Sequence, residues 1–188
     1  MGNGIASAFR DPLSKAVPEG GVRNNKIEGR GVGTTPEKAL KVANDTGSLV
    51  IYTKSRGVPA DIVRGGVRLL FRNTLASRDL AQYMLEHPNS SYNLHSEMTI
   101  TALGAAKMLQ GNQVGGDFTL VSPFYTQATA ESAFGGIGAT VNYISPHLAD
   151  SAGIFAVPNP VTAPIYGTLG VVTLEHFHGY ESYQINKN

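Results

Sequence analysis

No lysine or arginine occurs between Met108 and Asn186, and that gap limits what this chain can fold into. Of its fifteen lysines and arginines, fourteen lie in residues 1–107 and one, Lys187, lies beyond. The acids divide nine to five, so the front half carries a formal 14 − 9 = +5 and the back half 1 − 5 = −4. Charged side chains normally solvate the surface of an isolated domain. A segment this poor in them predicts a surface that faces protein, and hence a subunit that assembles with copies of itself.

Charged residues make up 15% of the 188, well below the roughly 25% of an average globular domain. Disordered chains are instead highly charged and poor in aromatics, so this one is expected to fold over most of its length. The absence of cysteine excludes disulfides, thiol catalysis and cysteine-ligated metal sites. No stretch approaches the roughly 18–20 apolar residues of a membrane-spanning helix. Met1–Ala8 is too short for a secretory signal before Arg10-Asp11-Pro12 interrupts it.

Residues 1–34 hold nine glycines or prolines and no sustained apolar period, which predicts a flexible arm ahead of a single domain at 35–188. Thr34 or Thr35, Pro36 and Gly47 frame a first helix over Glu37–Asp45. Ser48–Tyr52 reads as a short buried strand. Pro59 opens a second helix, with Ile62, Val63, Val67, Leu70 and Phe71 as its buried stripe. Ser77 caps a third, ended by His87-Pro88. From Tyr92 the apolar period becomes two, predicting a strand over Tyr92–Leu103, then a small helix at Ala105–Gln110. Further strands are expected at Asp117–Val121, Ala139–Ile144, Gly153–Val157 and between Ile165 and His178. Helices first and strands after predict an α+β fold with a mainly antiparallel sheet.

Three patterns are candidate sites. Arg64, Arg68 and Arg72 recur every four residues along one helix face, with Lys54, Arg56 and Arg78 near in sequence. Such a stripe suits nucleic acid or an anionic membrane. Gly2 becomes an N-myristoylation acceptor if Met1 is removed, although Ala6 stands where serine or threonine is preferred. His176 and His178 share one face of a strand, so both imidazoles can reach one cation.

With Gly170 before it and Glu181 after it, that histidine pair partly resembles the first metal-binding motif of the cupin family. The resemblance implies a β-barrel holding iron, manganese or zinc through His176, His178 and Glu181. It departs from the family in its short His178–Glu181 spacing and in leaving no room for a second motif. Nucleophilic catalysis has no Gly-x-Ser-x-Gly signature to support it. His95 and Glu97 share the polar face of the expected Tyr92–Leu103 strand, as an acid–base or cross-strand pair.

Together these features predict a non-enzymatic, cofactor-free, self-assembling structural protein. The expected setting is a virion (coat, tube or matrix), with host cytoplasm during assembly, and the arginine face turned to genome, membrane or an acidic partner. The alternative is a small metal-dependent β enzyme built on His176 and His178.

Overall fold

A computed structural model describes residues 9–71 and 73–144. Its centre is a six-stranded mixed sheet, ordered β1-β3-β2-β4-β5-β6. The strands are β1 (Ser14–Ala16), β2 (Lys26–Arg30), β3 (Leu49–Tyr52), β4 (Ser91–His95), β5 (Asp117–Val121) and β6 (Thr140–Ile144). Only β1 runs antiparallel, against β3; the other four pairings are parallel. The α+β description holds at that coarse level, but the sheet is mostly parallel. Parallel neighbours need crossovers, and five helices supply them. They are α1 (Pro36–Thr46), α2 (Val58–Leu70), α3 (Leu75–Glu86), α4 (Glu97–Met108) and α5 (Gln127–Gly135).

The expected arm supplies two of the strands, and β2 lies in the interior of the sheet. Its Gly29 packs closely, since an added Cβ would lie 2.4 Å from Leu94 Cδ2 and the buried Leu94 side chain would have to shift. α1 forms as its signals predict, with Thr35 Oγ1 accepting from Lys38 N–H and Gly47 closing the helix at φ 67°. α3 is capped by Thr74, not Ser77.

The two sheet faces are unlike. Ile27, Leu49, Ile51, Tyr92, Leu94, Phe118 and Leu120 pack with Leu80, Met84, Met98, Leu103 and Phe134 of α3, α4 and α5. Tyr92 and Phe118, paired across β4 and β5, stack with ring centroids 4.5 Å apart. On the other face, Val50 and Tyr52 meet Ala39 and Ala43 of α1. Alternation along β4 turns Asn93 and His95 away from the main core. There the Asn93 amide donates to both oxygens of buried Glu28, at 3.1 and 2.9 Å.

α2 inverts its expected stripe. Val63, Leu70 and Phe71 are exposed, whereas Asp61, Arg64 and Arg68 are buried. The inner face is charged because a carboxylate waits for it in the core. The expected strand to Leu103 ends instead at His95, and Glu97 opens α4. That helix is buried on every side from Glu97 to Ala106, so no polar stripe marks it as helical. Gly153–Val157 and the Ile165–His178 strand lie outside the described residues.

Candidate nucleophile site

From β2 the chain turns to β3 on one side, then crosses to β4 on the other, so the connections diverge between β2 and β4. In open α/β sheets ligands bind beyond the carboxyl ends of the strands at such a divide. Two loops meet there, Gly31–Thr35 after β2 and Ser96 after β4.

Ser96 is the single residue between a strand and a helix, and it sits at φ 54°, ψ −126°. A non-glycine residue in such a conformation costs about 1–3 kcal/mol and persists only where its surroundings over-determine it. Here they do. The Ser96 carbonyl accepts from Thr99 N–H at 2.9 Å and from Thr99 Oγ1 at 2.7 Å. Its own N–H donates to Val121 O at 3.2 Å. Tyr125 Oη then donates to Thr99 O at 3.0 Å, tying the first turn of α4 to the loop after β5. Ser96 Oγ is shielded from solvent and has no hydrogen-bond partner among the described residues.

The facing loop approaches at backbone distance. An added Cβ at Gly31 would lie 2.7 Å from Glu97 N and 3.1 Å from His95 O, so only glycine fits. Two amides of this loop are committed: Gly33 N–H to Asp61 Oδ2 at 3.0 Å and Thr34 N–H to Gly31 O at 3.3 Å. The Val32 N–H has no partner among the described residues, and neither has the Glu97 N–H that opens α4. A helix start leaves such amides unpaired by construction.

Glu97 itself is wholly buried. Arg64 grips it in a two-pronged contact, Nε to Oε1 at 2.7 Å and Nη2 to Oε2 at 2.9 Å. Arg68 Nη1 adds a bond to Oε1 at 2.8 Å. Arg64 also reaches Asp61 Oδ1 at 3.1 Å and Lys54 O at 3.0 Å. Burial pulls both guanidinium pKa values down. At Arg64 the carboxylates of Glu97, Asp61 and Asp11 outweigh burial and leave it raised, whereas Arg68 stays lowered.

Arg64 and Arg68 therefore present no surface to a polyanion; they neutralise acids of their own chain. The third member of the stripe, Arg72, lies outside the described residues, as do Gly2, His176, His178 and Glu181. Among the described residues no cluster of metal-ligating side chains occurs, and no helix is long and apolar enough to cross a membrane. His95 and Glu97 do not pair: the imidazole Nε2 lies 3.9 Å from Glu28 Oε2, while Glu97 faces α2. A cavity of about 600 Å³ between Lys107, Gln110, Thr129 and Ser132 lies at the far end of α4 from Ser96.

Sequence reasoning passed over Ser96, Gly31 and Val32. One signal was present: along the alternating run Tyr92, Leu94, Met98, Ile100, Ala102, the polar residue standing on the apolar phase is Ser96. No protein-family model, curated protein or solved structure matches the chain.

Proposed function

We propose that the chain is a serine hydrolase that cleaves ester-type substrates through an acyl-enzyme on Ser96. The observation that carries this reading is the strained Ser96 turn between β4 and α4. A serine on a sharp strand-to-helix turn at the carboxyl edge of a parallel sheet is how α/β-type hydrolases hold their nucleophile, and here the shielded Ser96 Oγ has to be uncovered for a substrate to reach it. In that arrangement the amide after the serine and one from a neighbouring strand–helix loop hold the oxyanion; by their positions in the chain we assign those roles to the Glu97 and Val32 N–H groups. Ser96 Oγ attacks the carbonyl carbon, and its proton passes to a base and on to the departing alcohol. Water then hydrolyses the acyl-enzyme.

A base is required. Among the described residues the histidines are His87, at the end of α3, and His95, beside Glu28. Residues 145–188 carry three more, His147, His176 and His178, with Asp150, Glu175 and Glu181. The chain order serine, acid, histidine of such hydrolases is met by Asp150 followed by His176 or His178. This gives the histidine pair a role that needs no metal.

The test is turnover of p-nitrophenyl acetate and butyrate by the full chain, beside Ser96→Ala, His176→Ala and His178→Ala. Turnover lost in Ser96→Ala and in one histidine variant supports the reading. Turnover unchanged in Ser96→Ala overturns it.

Self-assembly stands as a second proposal, carried by the charge-poor run after Lys107 and the exposed apolar face of α2. Light scattering on the same preparation tests it, and a monomer at every salt concentration would refute it.

A further inference from the structure

We infer that Arg64 and Arg68 are positioning residues that, through the Glu97 carboxylate, set the oxyanion-binding Glu97 amide of the Ser96 site. The inference rests on the hydrolase reading above and adds a role for the buried arginines. Glu97 contributes two things at one place. Its backbone N–H opens α4 directly after Ser96, and its side chain is the anchor that α2 grips.

Three named contacts fix the carboxylate: Arg64 Nε, Arg64 Nη2 and Arg68 Nη1, all at 2.7–2.9 Å. Charge-assisted bonds of this length are the strong, directional kind, and a planar guanidinium fixes orientation as well as distance. The grip continues outward. Arg64 reaches Asp61, and Asp61 Oδ2 accepts the Gly33 N–H at 3.0 Å. One network thus ties both amide-bearing segments, the Gly31–Thr35 loop and the start of α4, to the same helix. Few arrangements explain better why a helix would bury its arginines and expose Val63, Leu70 and Phe71.

Electrostatics agree with the geometry. A lone carboxylate beside a developing oxyanion would oppose it. Arg64 and Arg68 offset the Glu97 charge, so the carboxylate does not oppose an oxyanion, while Asp61 and Asp11 beside Arg64 leave the network without net positive charge.

The test compares full-length wild type with Arg68→Met and Arg68→Lys, leaving the two-pronged Arg64–Glu97 contact intact. Arg64→Lys serves as a second variant should Arg68→Met fail to fold. Each is read by steady-state p-nitrophenyl butyrate kinetics, fluorophosphonate labelling rate and thermal melting, at a temperature where all variants are folded. Positioning predicts kcat and labelling rate lower by about 10- to 100-fold in Arg68→Met or Arg64→Lys, since small misplacements at a reacting centre cost that much. KM should change less than kcat, and Arg68→Lys should restore part of the loss. A lowered melting temperature with unchanged kcat and labelling rate overturns the inference, leaving the network a purely structural role. Absence of wild-type labelling sinks the hydrolase reading itself, a separate outcome. Wild type labelled with Arg68→Met equally fast sinks the positioning role alone.

Discussion

Gly31→Ala is the sharpest perturbation the fold offers. The new Cβ would lie 2.7 Å from Glu97 N, 2.9 Å from Glu97 Cβ and 3.1 Å from His95 O. Ordinary contact begins near 3.4 Å, so the closest approach is 3.4 − 2.7 = 0.7 Å too short. Two of the three obstacles are backbone atoms, one on either side of Ser96, which cannot swing aside as a long side chain would. The β2 loop must therefore back away from the start of α4 by several tenths of an ångström. Overpacking of this kind costs about 1–3 kcal/mol, or roughly 2–4 °C of melting temperature per kcal/mol in a domain this size. On the proposed function catalysis should suffer far more, because the displaced atoms adjoin the amides assigned to the oxyanion. Misplacement near 1 Å costs on the order of 100-fold in rate. The assay is kcat/KM on p-nitrophenyl butyrate beside a thermal melt. A variant melting several degrees lower yet turning over within threefold of wild type would show that the two loops do not form one site.

Other perturbations separate stability from activity. Ser96→Gly removes the hydroxyl but suits φ 54°, so it should abolish turnover while raising stability by about 1 kcal/mol, read by denaturant midpoint. Gly66→Ala, in α2 with nothing within 4 Å of the new Cβ, should stabilise by about 0.5–1 kcal/mol and leave turnover unchanged. Burial pushes the Tyr92 phenol well above its ordinary range. The unfolded chain ionises there near pH 10 while the native state does not, so stability held below that pH should fall as pH rises past it. Tyr92→Phe should lessen that alkaline loss in pH-dependent melts.

How much of this was legible in the sequence depends on how local each signal is. α1 was readable because Thr35, Pro36 and Gly47 act through their own backbone. β2 was not, because Lys26-Ile27-Glu28-Gly29-Arg30 becomes a strand only through β3, β4 and the close approach of Leu94. α2 misled more deeply. Its arginine stripe looks solvated until Glu97, 33 residues beyond Arg64, is folded against it. α4 hid as a strand because burial on all sides erased its helical period, and its apolar residues happened to continue the alternation of β4. Ser96 was legible only as a break in that phase, since a strained turn is a property of the strand and helix on either side.

Peptide mapping after fluorophosphonate treatment decides whether Ser96 is the nucleophile. The absence of Lys and Arg from Met108 to Asn186 gives trypsin one fragment from Asp79 to Lys107, carrying Ser96, and another from Met108 to Lys187. The second holds Ser122, which also has a positive φ, 50°, at the end of β5, but no helix begins directly after it. A stoichiometric adduct is expected in the first fragment, placed on Ser96 by fragmentation and absent from Ser96→Ala. No adduct, or one on Ser122, would contradict that role for Ser96.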